Sequence, residues 1–156
     1  MIDENLAAMF GMPEITVVTG YDITCELADK CFDKGGSLYY AGIPTDAKLH
    51  TNKIYALPDF CFFFIHKATG NPVGYFVILP LTEDSIMRYM DNKLLYNTIE
   101  PDDLQPIKSD QMYNLFFDSI VLCKQYRTSN MARLFLRCLR AILSTVRKSN
   151  RFAIIS

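Results

Sequence analysis

The residues of this sequence best placed to do chemistry sit where one pattern gives way to another. Residues 115–123 are almost wholly apolar, with Asp118 and Ser119 as the polar exceptions, and such a run reads as a buried strand. From Met131 onward the period changes: Met131, Phe135, Cys138, Leu139, Ile142 and Val146 recur at steps of three and four, one face of a helix. Between them residues 124–130 hold three capping types in a row, Thr128, Ser129 and Asn130. A strand that feeds a polar turn and then a helix leaves backbone N–H groups unpaired at the helix start. Those groups and the helix dipole attract an anion such as phosphate. The charges agree: residues 119–156 hold eight Lys or Arg and no Asp or Glu, while the other eight basic and all 17 acidic residues precede them. A formal net charge of −1 thus hides a basic C-terminal third.

Other reactive types are scattered. Asp118 is the only carboxylate in the central strand, and by alternation it shares a face with Phe116 and Ile120. Cys123 ends that strand with no His paired to it, which argues against a covalent route. Tyr126 reads as a packing residue, and His66, inside an aromatic run, as a core residue. His50 and residues 96–113 border a candidate pocket whose carboxylates Glu100, Asp102, Asp103 and Asp110 suit a cationic amine; a solvated acidic loop is the plainer explanation. Arg133, Arg137, Arg140 and Arg147 lie at near-helical spacing and read as a solvated face, with an anionic partner as the alternative. The absence of interleaved exposed aromatics argues against nucleic acid. The five cysteines, Cys25, Cys31, Cys61, Cys123 and Cys138, form no C-x-x-C and no metal-ligand spacing, so reduced thiols, no metal site and a cytoplasmic location are expected.

Elements must position these residues. A chain of 156 residues, half of them hydrophobic, suggests one domain with a sizeable core. No apolar run reaches the length of a membrane span, and Asp3 and Glu4 stand where a signal peptide would be basic. Residues 1–13 read as a helix or a tail, 14–21 as a first strand, and 23–32 as a helix stopped by Gly35 and Gly36. Residues 44–50 read as a short helix. Residues 60–67 and 73–79 are strands joined by a turn over 68–72, the clearest hairpin in the chain. Residues 82–95 read as a helix, 96–113 as a loop, and 151–156 as the start of another strand.

The run Ser-Ile-Val-Leu-x-x-x-Tyr-Arg-x-x-x-Met-Ala, from Ser119 to Ala132, resembles the acetyl-CoA-binding motif of the GNAT superfamily of N-acetyltransferases. In that family a hydrophobic strand is followed by Arg/Gln-x-x-Gly-x-Gly/Ala and a helix. Arg127 matches the first motif position and Ala132 the last. Asn130 stands where the first Gly is usual and Thr128 where another is common; glycine permits positive φ and close approach to a phosphate, and Asn tolerates positive φ better than most residues. The order of elements is similar to the family's first five strands. The family adds a further helix and two strands, so the resemblance implies a fragment, a lost second half, or one supplied by a partner.

The resemblance implies a mixed α/β domain of acyl-CoA N-acyltransferase type, its sheet mostly antiparallel and twisted. It implies transfer of an acetyl group from acetyl-CoA to a small-molecule or peptide amine by direct attack. Ile120, Val121 and Leu122 would pair with the pantetheine arm. Arg127, Thr128, Ser129, Asn130, Met131 and Ala132 would hold the pyrophosphate. Acetyl transfer to an amine needs a base, and Asp118, the one strand carboxylate, is the candidate from its apolar neighbours, with Ser119 as a weaker hydrogen-bonding candidate; a capping or strand-end carboxylate facing solvent is the plainer explanation. The alternative is a non-catalytic acyl-CoA-binding or protein-interaction domain on the same fold. An incomplete sheet exposes an edge, so a homodimer through that edge is a further expectation.

Overall fold

The computed structural model describes residues 6–39, 47–95, 98–106, 113–148 and 152–155. In chain order the elements are β1 (Ile15–Thr19), α1 (Cys25–Tyr39), α2 (Ala47–Ala56), β2 (Cys61–His66), β3 (Pro72–Leu81), α3 (Glu83–Met90), β4 (Tyr113–Leu122), α4 (Ser129–Lys148) and β5 (Phe152–Ile155). The five strands form one sheet in the order β1-β2-β3-β4-β5. The first three pairings are antiparallel, and β4 with β5 is parallel.

Aromatic residues that alternate along β2 and β3 place a helix on each face of this sheet. The ring of Phe32 on α1 meets Tyr75 edge-on at 5.3 Å and Phe63 at 6.4 Å between centroids. The ring of Phe135 on α4 lies 4.8 Å from Phe64 and 5.9 Å from Phe76. Neighbouring strand residues point to opposite faces, so α1, which also packs on α2, and α4 cover opposite sides. Burial of β2 and β3 on both faces explains why their sequences are continuous apolar runs rather than alternating ones.

Several boundaries move from where the sequence puts them. Gly35 and Gly36 do not stop α1, which continues to Tyr39; glycine costs a helix interior about 1 kcal/mol without forbidding it. The helix expected over residues 44–50 is instead Ala47–Ala56, with residues 44–46 outside the described residues. The helix expected over residues 82–95 ends at Met90, and the chain turns at Asn92 with φ 57°. Thr82 caps it by accepting from Ser85 N at 3.2 Å. Within the expected loop, Pro101–Asp103 form a 3-10 turn and Leu104 bridges to Leu81.

The register of β4 contains the feature that matters most for the site. Gly74 to Val77 pair with Leu122 to Ser119, and Ile78 to Leu81 pair with Phe117 to Asn114. Asp118 is therefore the extra residue of a β-bulge. Further along, β5 pairs only with Tyr113 to Phe116.

Candidate functional site

Two features meet at the C-terminal end of β4. The first is a strand edge. Residues 117 and 119–121 pair with β3 on one side, and no described strand pairs with residues 117–121 on the other. Ile120 is 55% exposed beside that edge, whereas Val121 is buried and Leu122 half-buried. The second is the start of α4. Thr128 is its cap, with Oγ1 accepting from Met131 N at 3.3 Å and the carbonyl accepting from Ala132 N at 3.1 Å. Among the described residues, no acceptor meets the N–H groups of Ser129 and Asn130. Two donors thus remain at the positive end of a 20-residue helix. Arg127 Nε donates to Leu122 O at 3.2 Å, which lays the guanidinium back over the end of β4. Arg127, Thr128, Ser129 and Ala132 are exposed, Asn130 is half-buried and Met131 is buried. The donor set suits a diphosphate: two uncommitted N–H groups, an arginine, and no carboxylate from Ser119 to the end of the sequence.

Asn92 is the only non-glycine residue with positive φ among those described, and Asn130 lies in the first turn of α4. The turn therefore needs no left-handed residue at Thr128 or Asn130. The amide of Asn130 has a neighbour instead: a Cβ added at Gly11 would lie 3.2 Å from its Nδ2. Residues 8–11, a 3-10 turn closed by Gly11 at φ 75°, thus lie against the first turn of α4.

Asp118 points elsewhere. The bulge breaks the two-residue alternation, so Asp118 and its neighbour Ser119 are both buried while Ile120 stands open. Asp118 consequently does not share a face with Ile120, which pairs with Phe76 on the α4 side. Its carboxylate faces α2: Lys53 Nζ lies 3.5 Å from Oδ1, and Ser119 Oγ donates to Oδ2 at 2.9 Å. The Lys53 and Asp118 side chains are 2% and 1% exposed. The ion pair is in contact but not aligned as a hydrogen bond, so Nζ and Oδ1 keep unmet hydrogen-bonding capacity inside the core. Cys61 lies close enough to feel the pair; burial first, and then the Asp118 carboxylate, push its thiol well above the ordinary range.

Asp103 is buried, not part of a solvated loop. Its Oδ1 accepts from Ser85 Oγ at 2.8 Å and Arg88 Nη1 at 3.0 Å, and its Oδ2 accepts from Glu100 N at 2.9 Å, which ties the segment to α3. Glu100 and Asp102 are exposed, and Asp110 and the His50 side chain lie outside the described residues. Tyr126 packs partly buried against the core, as expected. His66, expected in the core, is instead half-exposed at the end of β2, with Nδ1 3.4 Å from Thr69 Oγ1. Arg133, Arg137 and Arg140 are exposed along α4. Among the described residues no group of three metal-ligating side chains occurs, and no helix is long and apolar enough to cross a membrane. Lys53 is the residue sequence reasoning missed. Its only signal was a position in a weakly patterned stretch before the aromatic strand.

No protein-family model matches the chain, and no curated protein matches it. Among solved structures, it is similar to the ribosomal-protein-alanine N-acetyltransferase from Brucella melitensis biovar Abortus 2308, with a TM-score of 0.41 and 11% identity. The alignment covers 91% of this chain and 79% of that one.

Proposed function

We propose that this protein is an N-acetyltransferase that takes an acetyl group from acetyl-CoA and passes it to an amine. The observation that carries the reading is the continuity of an open strand edge, residues 117–121, with the uncommitted N–H groups of Ser129 and Asn130. A diphosphate seated on those N–H groups, with Arg127 beside it, directs a pantetheine arm along the edge. There strand peptide groups pair with it as another strand would. A β4 N–H aimed at the thioester carbonyl polarises it and stabilises the oxyanion that forms as the amine adds. The C–N bond forms, the C–S bond breaks, and the CoA thiolate leaves. The amine proton passes to water at the open edge, because Asp118, the one carboxylate of the strand, is enclosed against Lys53 and Ser119 on the α2 side.

A second reading has its own support. Asp118 is almost wholly enclosed and paired with a cation, which suits a structural ion pair and a domain that binds acyl-CoA without turning it over. Thermal denaturation with and without acetyl-CoA tests the binding common to both readings. At about 100 times Kd, a ligand bound only by the folded state adds about 2.7 kcal/mol. Ser129→Glu places a like charge at the diphosphate position and is expected to abolish the shift while leaving the unliganded melting temperature near its original value. An unchanged shift in that variant removes the site. Release of free CoA thiol in the presence of an amine panel separates the readings: turnover supports the transferase, and binding without turnover supports the second.

A further inference from the structure

On the face of the sheet opposite α4, a cavity of about 700 Å³ lies between α1, the β2–β3 turn and the turn after β4. Neither the strand edge nor the mouth of α4 uses it. Its polar wall comes from three places in the sequence. Lys30, Asp33 and Lys34 stand one turn apart on α1, His66 and Asn71 flank the hairpin turn, and Gln125 closes the far side. Val73 and Tyr126 give it an apolar wall. The fold positions these groups firmly. The hairpin is closed by His66 N donating to Asn71 O at 2.9 Å. Cys123 N donates to Val73 O at 2.9 Å, so the turn after β4 is tied to the start of β3.

We infer that this cavity is a second binding site, for a small phosphorylated molecule with an apolar or aromatic body. Two lysines and an imidazole converge on one cavity, against the single carboxylate of Asp33. Amide donors from Asn71 and Gln125 supplement them. Lys30 Nζ pairs with Glu26 Oε1 at 2.6 Å, exposed on the helix surface. Such pairs hold weakly, so Lys30 turns to a bound phosphate at little cost. The volume falls within the range of small-molecule pockets, which combine an apolar lining with a few placed polar groups. Tyr126, half-buried with its ring packed on the core, supplies a flat surface for the ligand body.

The test is a titration of the isotopically labelled protein, followed by amide chemical shifts, with inorganic phosphate and then phenyl phosphate. Saturable shifts are expected at Thr69, Asn71, Val73 and Gln125, with phenyl phosphate binding the more tightly through its ring. Lys34→Glu is expected to weaken binding at least tenfold and Asp33→Asn to tighten it. Both residues are exposed on α1, so the rest of each spectrum should stay as in the parent protein and show that the fold is kept. Shifts confined to residues 129–131 would assign phosphate to the mouth of α4 alone and overturn the inference. So would the absence of saturation, or binding that Lys34→Glu leaves unchanged.

Discussion

Replacing Lys53 by methionine removes the only cation within ion-pair reach of Asp118 among the described residues. Methionine keeps most of the side-chain volume, so little cavity is created and the effect is chiefly electrostatic. What remains is a carboxylate whose side chain is 1% exposed, with a single hydroxyl donor from Ser119. Stranding one member of a buried pair costs about 3–5 kcal/mol. Total stability of a domain is about 5–15 kcal/mol, so this loss is a large part of it. For a chain of this size it lowers the melting temperature by roughly 6–20 °C. Lys53→Met combined with Asp118→Asn removes both charges and keeps an acceptor for Ser119, so it is expected to recover most of the loss. Urea unfolding of the parent, both single variants and the double variant yields the coupling energy directly. A loss below about 1 kcal/mol for Lys53→Met would match an exposed pair instead. That result, or additive single effects, would refute the claim that the bulge holds Asp118 against α2.

Thr128→Ala, which deletes the cap of α4, is expected to cost about 1 kcal/mol in denaturant unfolding and to weaken acetyl-CoA binding by loosening the first turn. A Cβ at Gly74 would sit 2.5 Å from Val121 O and 3.3 Å from Leu122 Cα. Gly74→Ala should therefore disturb the β3–β4 pairing beside the proposed site and lower both the melting temperature and the ligand-induced shift. Burial pushes the thiols of Cys31 and Cys138 up to about 12, whereas in the unfolded chain they ionise near about 8.5. The unfolded state loses these protons first, so their contribution is complete below about pH 8.5 and is lost progressively as pH rises towards 12. Denaturation midpoints measured across that window should fall. In native alkylation at neutral pH, exposed Cys25 should react while Cys31, Cys61 and Cys138 stay protected until the chain unfolds.

The elements that the sequence makes legible are those whose side chains meet one dominant environment. The aromatic runs of β2 and β3 are buried on both faces and show as continuous apolar stretches. The stripe from Met131 to Ile142 faces the sheet and shows as a helical period. The end of β4 and the start of α4 lie where the capping residues indicate. What stays hidden depends on partners distant in the chain. The bulge at Asp118 is a mismatch between two strands, and neither strand alone carries it. The alternation rule consequently misplaces Asp118 relative to Ile120. Lys53 carries no signal in its own stretch, because lysines are almost never buried without a partner, and its partner Asp118 lies in another element. Asp103 looked like part of a solvated loop because its ligands, Ser85 and Arg88, belong to α3. The glycine positions of the resembled motif misled in the opposite direction, since Asn130 adopts an ordinary helical turn.

The central claim is that the edge of β4 and the mouth of α4 together hold acetyl-CoA. Its most direct test is a titration of labelled protein with acetyl-CoA, read at the amides of residues 117–121 and 129–131. The account predicts saturable shifts at both sets with one common affinity. No saturable shift at Ser129 and Asn130, or shifts there with the strand amides unmoved, would contradict it.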